Sequence, residues 1–196
     1  MPDPARILVV AGSLRAGAWS KKLARNGADA LTRLGASVDL LDLRDYPMPP
    51  YDGDLEEEEG LPPGAVAFKK RLAAAEGFLF VSPEYNHSIP GTFKNVLDWA
   101  SRGDLDVFAG KVAAVMASSP GGVGGMRMLP HLRQVLNALE LLVLPGQVTL
   151  SKANAAFDEQ EKLVAPFVVK QVDALCADLI LEVLRRRVSP GEDGPA

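Results

Sequence analysis

With 196 residues, 47% of them hydrophobic, the chain is long enough to bury one sizeable core and short for two. Its net charge of −4 argues against nucleic acid as the main partner, and no apolar run approaches the ~20 residues of a membrane span. A single cysteine, Cys176, excludes an intrachain disulfide and agrees with a reducing compartment.

The start of the chain has no signal-peptide pattern, so the expected location is the cytoplasm. An apolar strand over Arg6 to Ala11 leads into a small polar loop, Gly12-Ser13-Leu14-Arg15-Ala16-Gly17-Ala18-Trp19-Ser20. After it, Leu23, Ala24, Gly27, Ala30, Leu31 and Leu34 recur at helical steps, which predicts a helix from Ser20 to Leu34, ended by Gly35. A glycine-bearing loop between a buried strand and a helix start suits a phosphate. Its amides and the helix dipole favour negative charge, Ser13 and Ser20 add hydroxyls, and Arg15 adds a charged fork. Ser20 also suits the N-cap. The loop lacks Gly-Lys-Ser/Thr and does not fit G-x-G-x-x-G, so it suits a terminal monophosphate rather than a triphosphate or a dinucleotide.

A second strand is expected over Ser37 to Leu41. The connection from Asp42 to Pro63 is long, rich in proline and carries the acidic run Glu56 to Glu59, read as a solvated face. A helix from Gly64 to Ala75 precedes the apolar strand Gly77 to Val81, which ends in Ser82-Pro83-Glu84-Tyr85-Asn86-His87-Ser88-Ile89-Pro90-Gly91. A helix over Thr92 to Ser101 follows. A fourth strand, Lys111 to Ala117, runs into Ser118-Ser119-Pro120 and then four glycines within Gly121 to Gly125. A helix from Met126 to Leu139, a strand from Leu141 to Leu144 and a last helix from Asp158 to Arg187, interrupted at Pro166, complete the domain, 1–188. The tail 189–196 reads as disordered.

Strands alternating with helices give an α/β, doubly wound sheet of five parallel strands, with helices on both faces. Ligands of such sheets bind beyond the carboxyl ends of the strands. The unusual loops after strands one, three and four therefore meet on one edge. The prolines of the second loop stiffen its backbone, and the glycines of the third allow close approach to a flat ring. A monophosphate site beside a slot with polar edges matches the shape of FMN.

Gly12-Ser13-Leu14-Arg15, Ser82-Pro83-Glu84-Tyr85-Asn86 with Ser88-Ile89-Pro90-Gly91, Lys94-Asn95, Leu97-Asp98-Trp99-Ala100-Ser101, Ala109-Gly110-Lys111 and the glycine loop resemble the NAD(P)H-dependent FMN reductases of flavodoxin-like fold. That family includes quinone, chromate and azo-dye reductases. The resemblance runs from the first strand to about Gly146. The family often has asparagine where Ser20 stands and serine where Ala18 stands.

The resemblance implies FMN with its phosphate on Ser13, Leu14, Arg15 and Ser20. Pro83, Glu84, Tyr85 and Asn86 would line the ring, with Ser118, Ser119 and Gly121 on another side. It implies NADPH or NADH as the donor, a small electron acceptor (quinone, free flavin, azo compound or metal oxyanion), and no metal. It requires no protein acid or base, so no residue is assigned as catalytic. His87 is read as solvent-facing, His131 as structural, and Glu84 as acting through its backbone while its side chain bonds a neighbouring loop. A homodimer or homotetramer is expected, from the family and from the apolar Val96, Leu97, Trp99, Leu129, Leu132 and Leu136. The other reading is a flavodoxin-like electron carrier or flavin-binding module without NAD(P)H turnover. Arg15 and the weak net charge argue against it.

Overall fold

The computed structural model describes residues 3–103 and 107–188. The elements are β1 (Arg6–Ala11), α1 (Trp19–Arg33), β2 (Ser37–Asp42), α2 (Gly53–Glu59), α3 (Pro63–Ala74), β3 (Gly77–Pro83), α4 (Gly91–Ala100), β4 (Val112–Ser118), α5 (Met128–Ala138), β5 (Leu142–Leu150) and α6 (Pro166–Val188). The tail 189–196 lies outside the described residues. Among the described residues five strands form one sheet in the order β2-β1-β3-β4-β5, and every neighbouring pair is parallel.

The central strands are apolar on both faces because helices cover both. Leu8, Val10, Phe78, Phe80, Ala113 and Val115 alternate onto one face, where α3, α4 and α5 supply Phe68, Leu72, Phe93, Leu97, Leu129 and Leu132. Ile7, Val9, Leu79, Val81, Ala114 and Met116 face the other way, onto Leu23 and Leu31 of α1 and Leu175, Cys176 and Leu179 of α6. This is the two-residue period of a strand read twice, once for each layer. α1 lies so close to the sheet that a Cβ on Gly27 would stand 2.7 Å from Leu79 and 2.9 Å from Met116. α1 ends as expected at Gly35, whose φ is +91°. Its amide reaches the Thr32 carbonyl while the Ala36 amide reaches that of Leu31, both at 3.0 Å.

Four departures from the sequence reading have physical causes. The connection after β2 is not one loop: it holds a 3-10 turn at Leu43–Asp45 and then α2, capped by the Asp52 carboxylate accepting from the Asp54 amide at 3.0 Å. The acidic run thus lies on a helix. Glu56 is not merely solvated, since it accepts from Tyr51 Oη at 2.9 Å and Arg102 Nε at 2.7 Å. β5 does not stop at Leu144. It bulges at Pro145 and Gly146, where the guanidinium of Arg133 collects the Leu144, Pro145 and Gly146 carbonyls at 2.8–3.2 Å, and pairing then resumes as far as Leu150.

α6 is uninterrupted but starts at Pro166, which occupies the first helical turn where proline has no hydrogen bond to lose. The preceding segment is a turn pinned to α1, with Asn26 Nδ2 donating to the Glu161 carbonyl at 2.8 Å and Asn26 Oδ1 accepting from Leu163 N at 3.1 Å. The residues offered for an intersubunit face are also spent within the chain. Leu97, Trp99, Leu129, Leu132 and Leu136 are at most 1% exposed and Val96 is 6% exposed. Trp99 is anchored there by donating from Nε1 to the Pro49 carbonyl at 2.8 Å.

Candidate functional site

β1 is the strand from which the chain departs in both directions, to β2 on one side and β3 on the other. The carboxyl edge beside it is therefore the topological switch point, where loops diverge and leave a crevice. Register brings the three loops together there. Ala11 pairs with Val81, and Pro83 pairs with Ser118.

The first loop leaves β1 tightly. A Cβ on Gly12 would lie 2.6 Å from Phe93 and 3.0 Å from Ser82 Oγ, so only glycine lets α4 pack against the strand end. Ser13 is buried, and its Oγ accepts from the Arg15 amide at 3.3 Å. Leu14 through Gly17 are exposed. The N-cap of α1 is Ala18, not Ser20, and it gives the first-turn amides no side-chain acceptor. Ser20 instead sits inside the first turn, fully buried, with an Oγ that has no hydrogen-bond partner among the described residues. Arg15 is exposed and its guanidinium has no protein partner among the described residues. A buried hydroxyl without a partner is costly, so the arrangement calls for an external acceptor, and an uncapped helix start beside a free arginine specifies an anion.

The second loop is a tight hairpin. Tyr85 and Ser88 exchange backbone hydrogen bonds at 3.0 and 2.9 Å. The two residues between them, Asn86 and His87, have φ of +49° and +63°. Positive φ at both central positions is the type I′ pattern, which favours glycine at the place His87 occupies, so the turn carries strain. Tyr85 is 45% exposed and Asn86 and His87 are also exposed, so the hairpin presents its tip to the crevice mouth.

The Glu84 side chain turns away from the crevice: Oε2 accepts from the Arg127 and Met128 amides at 3.0 and 3.2 Å and caps α5. Only its backbone is left to face a ligand. Both histidines contact α5 or its approach. His131 is exposed on α5 rather than packed in the core, and its Nδ1 lies 2.8 Å from Ser88 Oγ. His87 Nε2 lies 3.5 Å from Arg127 Nη1.

The third loop is fastened at its base. Ser119 Oγ accepts from the Gly121 amide at 3.1 Å, and the Ser119 carbonyl accepts from Ala153 at 3.1 Å. Ser118 Oγ is buried and, like Ser20 Oγ, has no hydrogen-bond partner among the described residues. The glycines divide in two. Gly124 and Gly125 have φ of +62° and +86°, and added Cβ atoms would press on Leu150, Ser151 and Ala117 at 2.7–3.0 Å. Gly122 has only open space around its Cβ position, and Gly121 only Ser119 Oγ at 3.4 Å. The fold itself needs the later pair; the earlier pair borders open space.

The orphan hydroxyls belong to Ser20, in the first turn of α1, and Ser118, the last residue of β4. A ligand with an anionic group at one end and a flat polar-edged ring at the other would offer a partner to each, which is the sense in which the residues present fit FMN.

One feature escaped the sequence reading. Lys21, 5% exposed, donates from Nζ to Asp42 Oδ1 and Oδ2 at 2.7 and 2.9 Å. Asp42 also accepts from Arg44, through the amide, Nε and Nη2. Burial alone would push the Asp42 carboxyl up, but the hydrogen bonds from Arg44 and Lys21 hold it well below the usual carboxylate range. The trio stands beside the first loop because Asp42 is the register partner of Ala11. Only that pairing joins residues so far apart in the chain, so no local pattern announced it.

Comparison with known proteins gives the family of the chain. Residues 5–155 match the family model described as NADPH-dependent FMN reductase. The chain is 38% identical over 165 residues to an NAD(P)H-dependent FMN reductase of Pseudomonas aeruginosa, covering 84% of this chain and 87% of that one. It is 36% identical over 147 residues to the quinone reductase of Escherichia coli, covering 74% and 76% of the two chains. Among solved structures, FerB, a flavoenzyme NAD(P)H:(acceptor) oxidoreductase from Paracoccus denitrificans, aligns with a TM-score of 0.79 at 25% identity, over 92% of this chain and 98% of that one. A family match across three quarters of its length, with relatives of this identity over similar spans, places the chain in the NADPH-dependent FMN reductase family.

Proposed function

We propose that the crevice holds FMN with its phosphate on Ser13, Leu14, Arg15 and Ser20. Its ring lies along Pro83, Tyr85, Asn86 and the Glu84 backbone, with Ser118, Ser119 and Gly121 at the other edge. As a member of its family the protein is an oxidoreductase that uses FMN and NAD(P)H. When bound, FMN supplies the hydride exchange between nicotinamide and acceptor. The chain binds the phosphate, orients the ring by backbone and hydroxyl contacts, and excludes water from the covered side. None of these tasks needs a protein acid or base.

The observation that carries the reading is the pair of buried hydroxyls without a hydrogen-bond partner among the described residues, Ser20 Oγ just after the first loop and Ser118 Oγ just before the third. A quinone is the acceptor class supported best, since curated relatives from bacteria and plants are named quinone reductases. We assign the protein to the cytoplasm as one domain, and to a homodimer or homotetramer. Among the described residues no helix is long and apolar enough to cross a membrane. Exposed Tyr85, Val123 and Met126 offer an apolar rim to a second copy.

The test is anaerobic addition of NADPH to the FMN-loaded protein. Bleaching of the flavin absorbance, followed by its recovery on adding a benzoquinone, is the expected result. A flavin that stays oxidised would leave the electron-carrier reading in its place.

A further inference from the structure

Between the first loop, the turn after β2 and the start of α4 lies a cavity of about 340 Å³. Its wall is apolar, formed chiefly by Leu14, Leu43, Tyr46, Met48 and Val96, and Arg44 is the one charged residue in its lining among the described residues. No residue of the second loop's hairpin or of the glycine loop lines it. Leu14 is shared with the phosphate loop, so the cavity opens next to the FMN site without being part of it.

Arg44 is held in one orientation. Its Nε and Nη2 both donate to Asp42 Oδ2, at 3.0 and 2.7 Å, while its amide donates to Oδ1 at 3.1 Å. Nη1, the other side of the fork, has no protein partner among the described residues. The Asp42 charge is met twice, by Arg44 and by the buried Lys21, so the trio presents one net positive charge. A guanidinium already fixed by a carboxylate loses little freedom on binding, and its planar fork suits a phosphate. An apolar cavity with one placed cation has the make-up of a small-molecule subsite. The ligand chemistry it selects is a flat ring system carrying a phosphomonoester.

We infer that this cavity takes the adenosine 2′-phosphate half of NADPH, that Arg44 reads the phosphate, and that Asp42 and Lys21 position Arg44. The inference rests on the crevice being the FMN site. NADH, which lacks that phosphate, leaves the guanidinium without its anion. Preference for NADPH then resides in the turn after β2, outside all three loops that hold the flavin.

Calorimetric titration of the FMN-loaded protein with adenosine 2′,5′-bisphosphate and with adenosine 5′-monophosphate tests this. A site built around a phosphate should bind the bisphosphate about tenfold or more tighter than the monophosphate. NADPH should displace it. Arg44→Gln should abolish the difference and lower the NADPH-to-NADH ratio of kcat/KM by a similar factor. Arg44→Lys should recover part of both, because charge returns without the fork. Arg44 is half-exposed and Lys21 still pairs Asp42 in its absence, so the variants keep the fold, which circular dichroism verifies.

Equal affinity for the two nucleotides, an unchanged NADPH preference in Arg44→Gln, or bisphosphate that NADPH fails to displace would each overturn the inference. A protein that oxidises neither NADPH nor NADH would instead overturn the oxidoreductase reading, while the calorimetry still decides what the cavity binds.

Discussion

Ser20 lies in the first turn of α1, wholly buried, with a hydroxyl that has no hydrogen-bond partner among the described residues. Burying such a group without a partner costs about 1–3 kcal/mol, a penalty that the phosphate of the proposed FMN site would remove. Ser20→Ala deletes both the penalty and the contact. Apo Ser20→Ala should therefore be as stable as the parent or more so in urea titration, while its FMN affinity falls. A hydrogen bond to a charged oxygen is worth about 1.5–3 kcal/mol, or roughly ten- to a hundredfold in affinity by flavin fluorescence quenching. Opposite signs for stability and affinity would mark Ser20 as a ligand-binding rather than a structural residue. Arg15→Ala should weaken FMN binding as well, and more so as ionic strength is lowered, because a charge is lost.

At this scale the sequence was legible where the chemistry is local. Ser13 and Arg15 stand in the loop between β1 and α1, Ser20 in the first turn of α1, and the Glu84 side chain does bond a neighbouring segment. The Lys21-Asp42-Arg44 trio was not legible, because only the β1–β2 register assembles it.

At the scale of elements, the second and third loops are one unit, joined through Glu84. α5 has no side-chain cap of its own at Arg127, and Glu84 supplies one from the end of β3. Glu84→Ala should cost about 1 kcal/mol of stability, the usual worth of a helix cap. It should also speed hydrogen exchange at the Arg127 and Met128 amides. Glu84→Gln keeps an accepting oxygen and should lose less on both measures.

The glycine loop separates its fold requirement from its ligand requirement. Gly124→Ala forces a Cβ to within 2.7 Å of Ser151 N at φ +62°, and should destabilise the apoprotein by about 1–3 kcal/mol. Gly122→Val meets open space, so apo stability should stay within about 0.5 kcal/mol while FMN binding weakens. If Gly122→Val leaves FMN affinity untouched, the ring edge does not pass over that residue. Strand alternation and loop punctuation made the sheet, the helices and the three loops readable from the chain. Pro145-Gly146 hid the second half of β5, because a bulge carries the same residues as a strand end. Pro166 was misread as a break, because a proline that opens a helix looks like one that ends it.

For the whole molecule, two carboxylates join parts of the chain that are far apart. Asp42 ties α1 to the end of β2 through Lys21 and Arg44. Glu76 ties the start of β1 to the end of α6, accepting from the Arg6 amide at 3.0 Å and from Arg187 Nε at 2.7 Å. The hydrogen bond from Arg187 lowers the Glu76 carboxyl below its ordinary value. Asp42 is lowered as well, burial opposing the shift and the Arg44 and Lys21 hydrogen bonds outweighing it. Both folded values lie below the unfolded ones, near 3.8 for Asp42 and 4.5 for Glu76.

In that range the unfolded chain binds more protons than the folded one, so stability rises with pH. The contribution is complete above about pH 5 and is lost as pH falls through the folded values. Urea unfolding from pH 7 to pH 2.5 should show a flat upper region and a steep decline beginning near pH 4.5. Asp42→Asn should flatten part of that decline, and should also lower stability at pH 7 by on the order of 3 kcal/mol, because buried Lys21 loses its counter-charge. Restoring a neutral contact with the double change Lys21→Met and Asp42→Leu should return most of the pH 7 loss and keep the flatter acid limb. A decline as steep in Asp42→Asn as in the parent would place the acid sensitivity on Glu76 and its arginines instead.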